Sequence, residues 1–146
     1  MDLNSLLLGT SSDFVNISGL ILRIFIGVCF VIHGMGKLGL VGPGSMAGFV
    51  GWLESLGVPF SHVQARMAML SEVGGGALMT LGLFTRVGAL LCLGTMIVAT
   101  LIGHRGGGYL ITNNPPGNEY TINLSATLVV IILLGPGAYS LDALLF

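Results

Sequence analysis

The sequence predicts an all-α membrane protein: four transmembrane helices in an antiparallel bundle, with a short interfacial helix between helices one and two. Three observations carry this. Only 8% of the 146 residues are charged and 53% are hydrophobic, even with the 24 glycines left out of that count; an average soluble domain is about 25% charged. Four stretches reach or approach the ~20 apolar residues that a hydrocarbon core of ~30 Å demands. None of them alternates with period two as barrel strands would, and in lipid the backbone must satisfy its own polar groups, so the stretches are helices.

The elements follow in chain order. Residues Met1 to Asn16 include Asp2 and Asp13 but no Lys or Arg, so the positive n-region of a cleavable signal peptide is missing and the first apolar stretch, 17–37, reads as a retained span. After Ser45, the residues Met46, Phe49, Val50, Leu53 and Leu56 recur at helical spacing until Gly57 and Pro59 stop them. With Trp52 beside that stripe, 46–56 reads as a helix in the headgroup layer, and the pattern equally fits a plug folded onto the bundle. Spans two and three, 64–84 and 87–103, are separated by Thr85 and Arg86 alone, which forces an antiparallel hairpin. The stretch 104–118 holds three consecutive glycines and Asn113-Asn114-Pro115-Pro116-Gly117, a loop signature. Span four, 119–134, completes one domain over 1–146, since no linker or repeat divides the chain.

Fixed charge is scarce, five basic and six acidic residues with a net charge of -1, which leaves no basic surface for nucleic acid. An ionisable side chain at membrane depth costs roughly 2.5 to 3.5 kcal/mol on insertion scales, so it faces a partner, a cavity or water. At ~100° per residue, Gly27, Phe30, Gly34 and Lys37 fall within about 40° of Arg23, and His33 lies about 80° to one side. Small and polar residues thus share the face of helix one that looks into the bundle. Arg23 and His33 differ by about 15 Å in depth, which makes Arg23 a structural intramembrane charge apart from the rest. On helix two, Glu72 shares a stripe with Gly76, Met79 and Leu83. Glu119 opens helix four, where the macrodipole favours a carboxylate.

Chain direction brings His33, Lys37, Glu72, Glu119 and His104 toward one mouth of the bundle, and they form the expected polar pocket. Arg66, Arg86 and Arg105 sit at span ends as interface anchors. Lys37, Arg66 and Arg105 on the pocket side tilt that side toward the cytoplasm. Cys29 and Cys92 are isolated and read as buried thiols, and no metal-ligand spacing appears.

Several segments, taken in order, resemble the DoxX family of small bacterial membrane proteins. They are Leu22-Arg23-Ile24 with Gly27 and Phe30, His33-Gly34, Lys37-Leu38, Leu56-Gly57-Val58-Pro59, Glu72-Val73-Gly74-Gly75-Gly76, Leu81-Gly82-Leu83-Phe84-Thr85-Arg86, Asn118-Glu119-Tyr120, Gly135-Pro136-Gly137 and Ser140-Leu141-Asp142. The resemblance implies a multi-pass protein of the bacterial inner membrane, linked to membrane redox complexes and quinone. It implies a subunit or accessory of a membrane-bound oxidoreductase, with other membrane subunits or further copies of itself as partners. No haem ligand pair, iron–sulfur motif or paired thiol is visible, so the chain by itself has no evident redox centre and reads as a binding subunit before an enzyme. A non-enzymatic structural or assembly role is the alternative. A small proton-coupled transporter fits less well, because helix one carries Arg23, His33 and Lys37 and lacks an acidic residue at membrane depth.

Overall fold

The computed structural model describes residue 9 and residues 11–146. Asp2, and with it part of the argument for a retained first span, lies outside the described residues. The chain is all-helical, with no strand among the described residues.

Helix α1 runs Ser12–Lys37, opened by the Ser11 hydroxyl, which accepts the Phe14 N–H at 3.2 Å. That cap starts the helix five residues before the apolar run does. A short α2, Met46–Ser55, is capped in the same way by Ser45. Helix α3 is Ser61–Leu81 and α4 is Thr85–Val98, which continues into a π-helical turn, Ala99–Gly103. Helix α5 spans Glu119–Leu134, and a final α6, Leu141–Leu145, escapes the sequence pattern because one turn shows no periodicity. Two runs are long and apolar enough to cross a membrane, Ser12–Lys37 and Thr85–Gly103; Glu119–Leu134 is a shorter apolar helix. Although α3 has 21 residues, Gln64, Arg66, Ser71 and Glu72 interrupt its apolar character.

The turn between α3 and α4 lies three residues earlier than the sequence places it. Gly82 adopts φ 70°, the left-handed conformation that ends a helix, and Leu83 with it drops out of the Glu72 stripe. Thr85 and Arg86 therefore belong to the first turn of α4. The start of α4 is set from far along the chain: the two carboxylate oxygens of Asp142 accept the N–H groups of Phe84 at 2.7 Å and Thr85 at 3.1 Å. These are orphan donors at a helix start, and a carboxylate answers both the hydrogen bonds and the dipole.

Helix α3 is gripped on two faces by neighbouring glycines. A β-carbon on Gly76 would stand 2.6 Å from the Gly27 carbonyl oxygen of α1, and one on Gly27 would stand 2.6 Å from that of Gly76. On the adjacent face, a β-carbon on Gly75 would lie 2.7 Å from the Gly88 carbonyl oxygen of α4, and one on Gly88 2.6 Å from that of Gly75. Such approaches bring backbones together where lipid provides no hydrophobic force between helices. A core of Phe30, Met79, Cys92, Met96, Leu128 and Ile131 fills the centre. A second cluster of Val50, Leu53, Val58 and Ala65 seats α2 on α3.

Arg23 is 2% exposed and answers the C-terminus of α3, donating to the carbonyl oxygens of Met79 at 3.3 Å and Thr80 at 3.0 Å, and to that of Tyr139. A cation at a helix C-terminus meets both unpaired carbonyls and the negative end of the dipole. The expected charge apart from the rest thus sits among α1, α3 and the C-terminal segment. Arg86 is exposed, and its Nε donates to the Ile132 carbonyl at 3.0 Å, tying α4 to α5 across the surface. Arg66 and Arg105 face outward.

Three substitutions test this packing in detergent-solubilised protein by thermal unfolding. Gly76→Ala should cost about 1 to 3 kcal/mol through overpacking, whereas Gly74→Ala, whose β-carbon meets nothing within 4 Å, should be tolerated. Asp142→Ala should destabilise by roughly 1 to 2 kcal/mol, as loss of a cap does.

Candidate functional site

At the end of the molecule away from Arg23, α1, α2, α3, α4 with its π-turn, and α5 line a half-open cavity of about 530 Å³. Its walls are mainly apolar, with Phe30, Leu53, Met67, Leu91, Met96 and Val98 among them. Helix α2 forms one side: Phe49 and Trp52 stack with centroids 5.7 Å apart, and the Trp52 ring lies against Gly103, where a β-carbon would come within 2.9 Å. The pattern read as an interfacial helix or a plug is a helix that walls this space.

Of the five expected pocket residues, His33, Lys37, Glu72 and His104 line the cavity. Lys37 closes α1 and forms an ion pair with Glu72 of α3, which is 3% exposed. The meeting follows from the glycine contacts: Gly76 lies one turn beyond Glu72, and with α1 drawn that close the lysine at its end reaches the carboxylate. The Lys37 ammonium also stands 4.9 Å from the centroid of the Phe49 ring, an aromatic face that attracts cations. His104 follows the π-turn, with Nδ1 3.1 Å from the Pro116 carbonyl oxygen.

Glu119 is the correction. It is absent from the cavity wall, because its Oε2 turns back to accept the Ile111 N–H at 3.2 Å while its own N–H bonds the Tyr109 carbonyl at 2.8 Å. The carboxylate fastens the loop before α5 instead. The place expected for it belongs to Tyr120, the next residue. Its hydroxyl lies 2.5 Å from His33 Nε2 and 3.4 Å from Cys29 Sγ, with the two rings edge to face at 5.6 Å. Among the described residues, these are the hydrogen bonds that join α1 to α5. A signal for Tyr120 existed: a tyrosine in an apolar helix brings a hydroxyl that needs a partner.

The arrangement can bind an amphipathic molecule. When His33 carries its proton on Nε2 it donates to the tyrosine oxygen, and the phenol O–H is free for an acceptor in the cavity. His33 also borders a second, more open hollow of about 410 Å³ lined by Gly36, Lys37, Ser45, Phe49 and Trp52. One imidazole therefore touches both the cavity and the molecule's end.

Residues 18–105 match the DoxX family profile. The chain is similar to the inner membrane protein YphA of Escherichia coli K12, 31% identical over 129 residues that cover 84% of this chain and 86% of that protein. It is also similar to the inner membrane protein YqjF of the same strain, 29% identical over 126 residues covering 86% and 90%. An uncharacterized membrane protein of Mycobacterium tuberculosis, Rv3486, is 31% identical over 132 residues covering 83% and 77%. No solved structure matches the chain.

The ion pair makes its own forecast. Lys37→Ala should destabilise the protein by about 3 to 5 kcal/mol, because it strands a buried carboxylate. The double variant Lys37→Met with Glu72→Leu should recover most of that loss in the same unfolding measurement; a double variant as unstable as the single would mean the charges do not act as a pair.

Proposed function

The chain belongs to the DoxX family of membrane proteins, and on that premise we propose that it serves a membrane-bound oxidoreductase as a subunit or accessory. In this reading it is a multi-pass protein of the bacterial inner membrane that holds a quinone or lipid in its cavity. Helices α1, α3, α4 and α5 all cross the bilayer as one antiparallel bundle. The cavity end faces the cytoplasm, following the Lys and Arg count.

The observation that carries the reading is the cavity's make-up. Its size falls in the range of small-molecule sites, about 300 to 1,000 Å³, its walls are mainly apolar, and the Tyr120–His33 and Lys37–Glu72 pairs stand among them. A quinone with an apolar tail suits such walls, and its ring offers carbonyl oxygens that accept hydrogen bonds. Tyr120 and His33 would hold one of them, with Phe49 and Trp52 beside the ring. His33 would carry protons between the tyrosine and the open hollow at the molecule's end. Electrons would come from a partner subunit.

A structural or assembly role is the second reading. The Lys37–Glu72 pair favours it, since each charge is satisfied within the protein.

The two readings diverge on substitution. Tyr120→Phe and His33→Ala should each lower quinone-dependent activity in native membranes by roughly 100-fold, the lower end of acid–base contributions, while the protein still accumulates in the membrane. Unchanged quinone reduction with both variants would defeat the oxidoreductase reading. Loss of folded protein without a separate loss of activity would support the structural one.

A further inference from the structure

Among the side chains lining the cavity, Lys37 and Glu72 are the ones with fixed charge, and they face each other. Glu72 is the more enclosed, its side chain 4% exposed against 17% for Lys37. The lysine ammonium is held between that carboxylate and the Phe49 ring. Arg66 and Arg105, at the same end of the molecule, do not line the cavity. An anionic head group that approached Lys37 would meet the Glu72 carboxylate already bonded to the same ammonium, in a space walled by apolar side chains where like charges repel strongly. A neutral head group meets no such opposition. The Tyr120 hydroxyl offers it a hydrogen bond that needs no charge.

We infer that Glu72 is the specificity-determining residue of the cavity: by cancelling the charge of Lys37 it makes the cavity select a neutral, carbonyl-bearing amphiphile and reject an anionic one. The inference rests on the reading of the cavity as a ligand site. It deepens that reading by separating two ligand classes, a neutral quinone-like or ester head on one side and fatty-acid anions or acidic lipids on the other.

The chain contains one tryptophan, Trp52, and it lines the cavity. Brominated lipids quench tryptophan on contact, so dibromostearate and its methyl ester compare a carboxylate with a neutral carbonyl on the same tail. Both are titrated into the full-length protein in neutral detergent at a pH where the acid is ionised, with tryptophan octyl ester in the same micelles as the baseline for partitioning. The ester should quench Trp52 saturably at a concentration at least ~10-fold lower than the anion, a discrimination of about 1.4 kcal/mol. Glu72→Gln, which leaves the ammonium without its counter-charge, should abolish or reverse that preference. Adding Lys37→Met to Glu72→Gln should restore it. Equal quenching by the two probes in the unaltered protein, or quenching by the anion first, overturns the charge filter and leaves the ligand site standing. Quenching no better than the baseline for both probes overturns the ligand site, and the inference falls with it. Should Glu72→Gln fail to fold, the unaltered protein still decides, and Lys37→Met must weaken the anion further while retaining the ester.

Discussion

The close approach of α3 to α1 and α4 is the constraint on which the remaining geometry depends. In lipid, burying one apolar side chain against another brings little gain over leaving it against acyl chains, so helix association rests on packing and interhelical polar contacts. Gly75 and Gly76 are consecutive and therefore point about 100° apart around α3, which lets one helix receive a neighbour on each side. Gly27 and Gly88 complete the contacts, and each of the four positions would place a β-carbon within 3 Å of a backbone oxygen. Once α1 lies this close, Arg23 reaches the last carbonyls of α3 at one end and Lys37 reaches Glu72 at the other. A single line of contact thus positions both buried charges.

The two ends of that line are built for different work. At the Arg23 end, the segment after α5 returns across the helices and fastens them. Asp142 caps α4, Asn16 accepts the Ala138 N–H at 2.9 Å, and Tyr139 receives Arg23. Most polar groups there are spent on backbone partners. At the opposite end the backbone is less regular: α4 widens into a π-turn, a feature that often accompanies functional sites. The helix α2 stands beside the cavity there, and α1 meets α5 through side-chain hydrogen bonds of Tyr120. The molecule thus has one fastened end and one hollow end.

Much of this was legible in the residues, for a definite reason. The face of helix one that carries Arg23, Gly27, Phe30 and Gly34 is the buried face of α1, because helical periodicity alone places those positions together. Chain direction brought Lys37 and Glu72 to the same mouth of the bundle, and the close approach of α1 to α3 made them a pair. Glu119 misled, since position at a helix start says nothing about which way a carboxylate turns, and the loop before α5 offered it an unpaired N–H. The hydroxyl of Tyr120 in an apolar helix called for a partner without saying which, and Asp142 was visible only as a piece of a family resemblance. Their partners lie 87 and 58 residues away, so no local pattern could identify them.

By itself, the sequence determined the class of molecule, the helical state of its apolar segments and the rule that a charge at membrane depth must face a partner, a cavity or water. These follow from composition, from period and from the cost of charge in lipid, all of which are local or summed properties. The tertiary structure decided which charges meet, where the turn before Thr85 falls, and that a tyrosine stands where a glutamate was expected. Those outcomes depend on distances between helices, and the distances are set by glycine contacts between segments far apart in the chain.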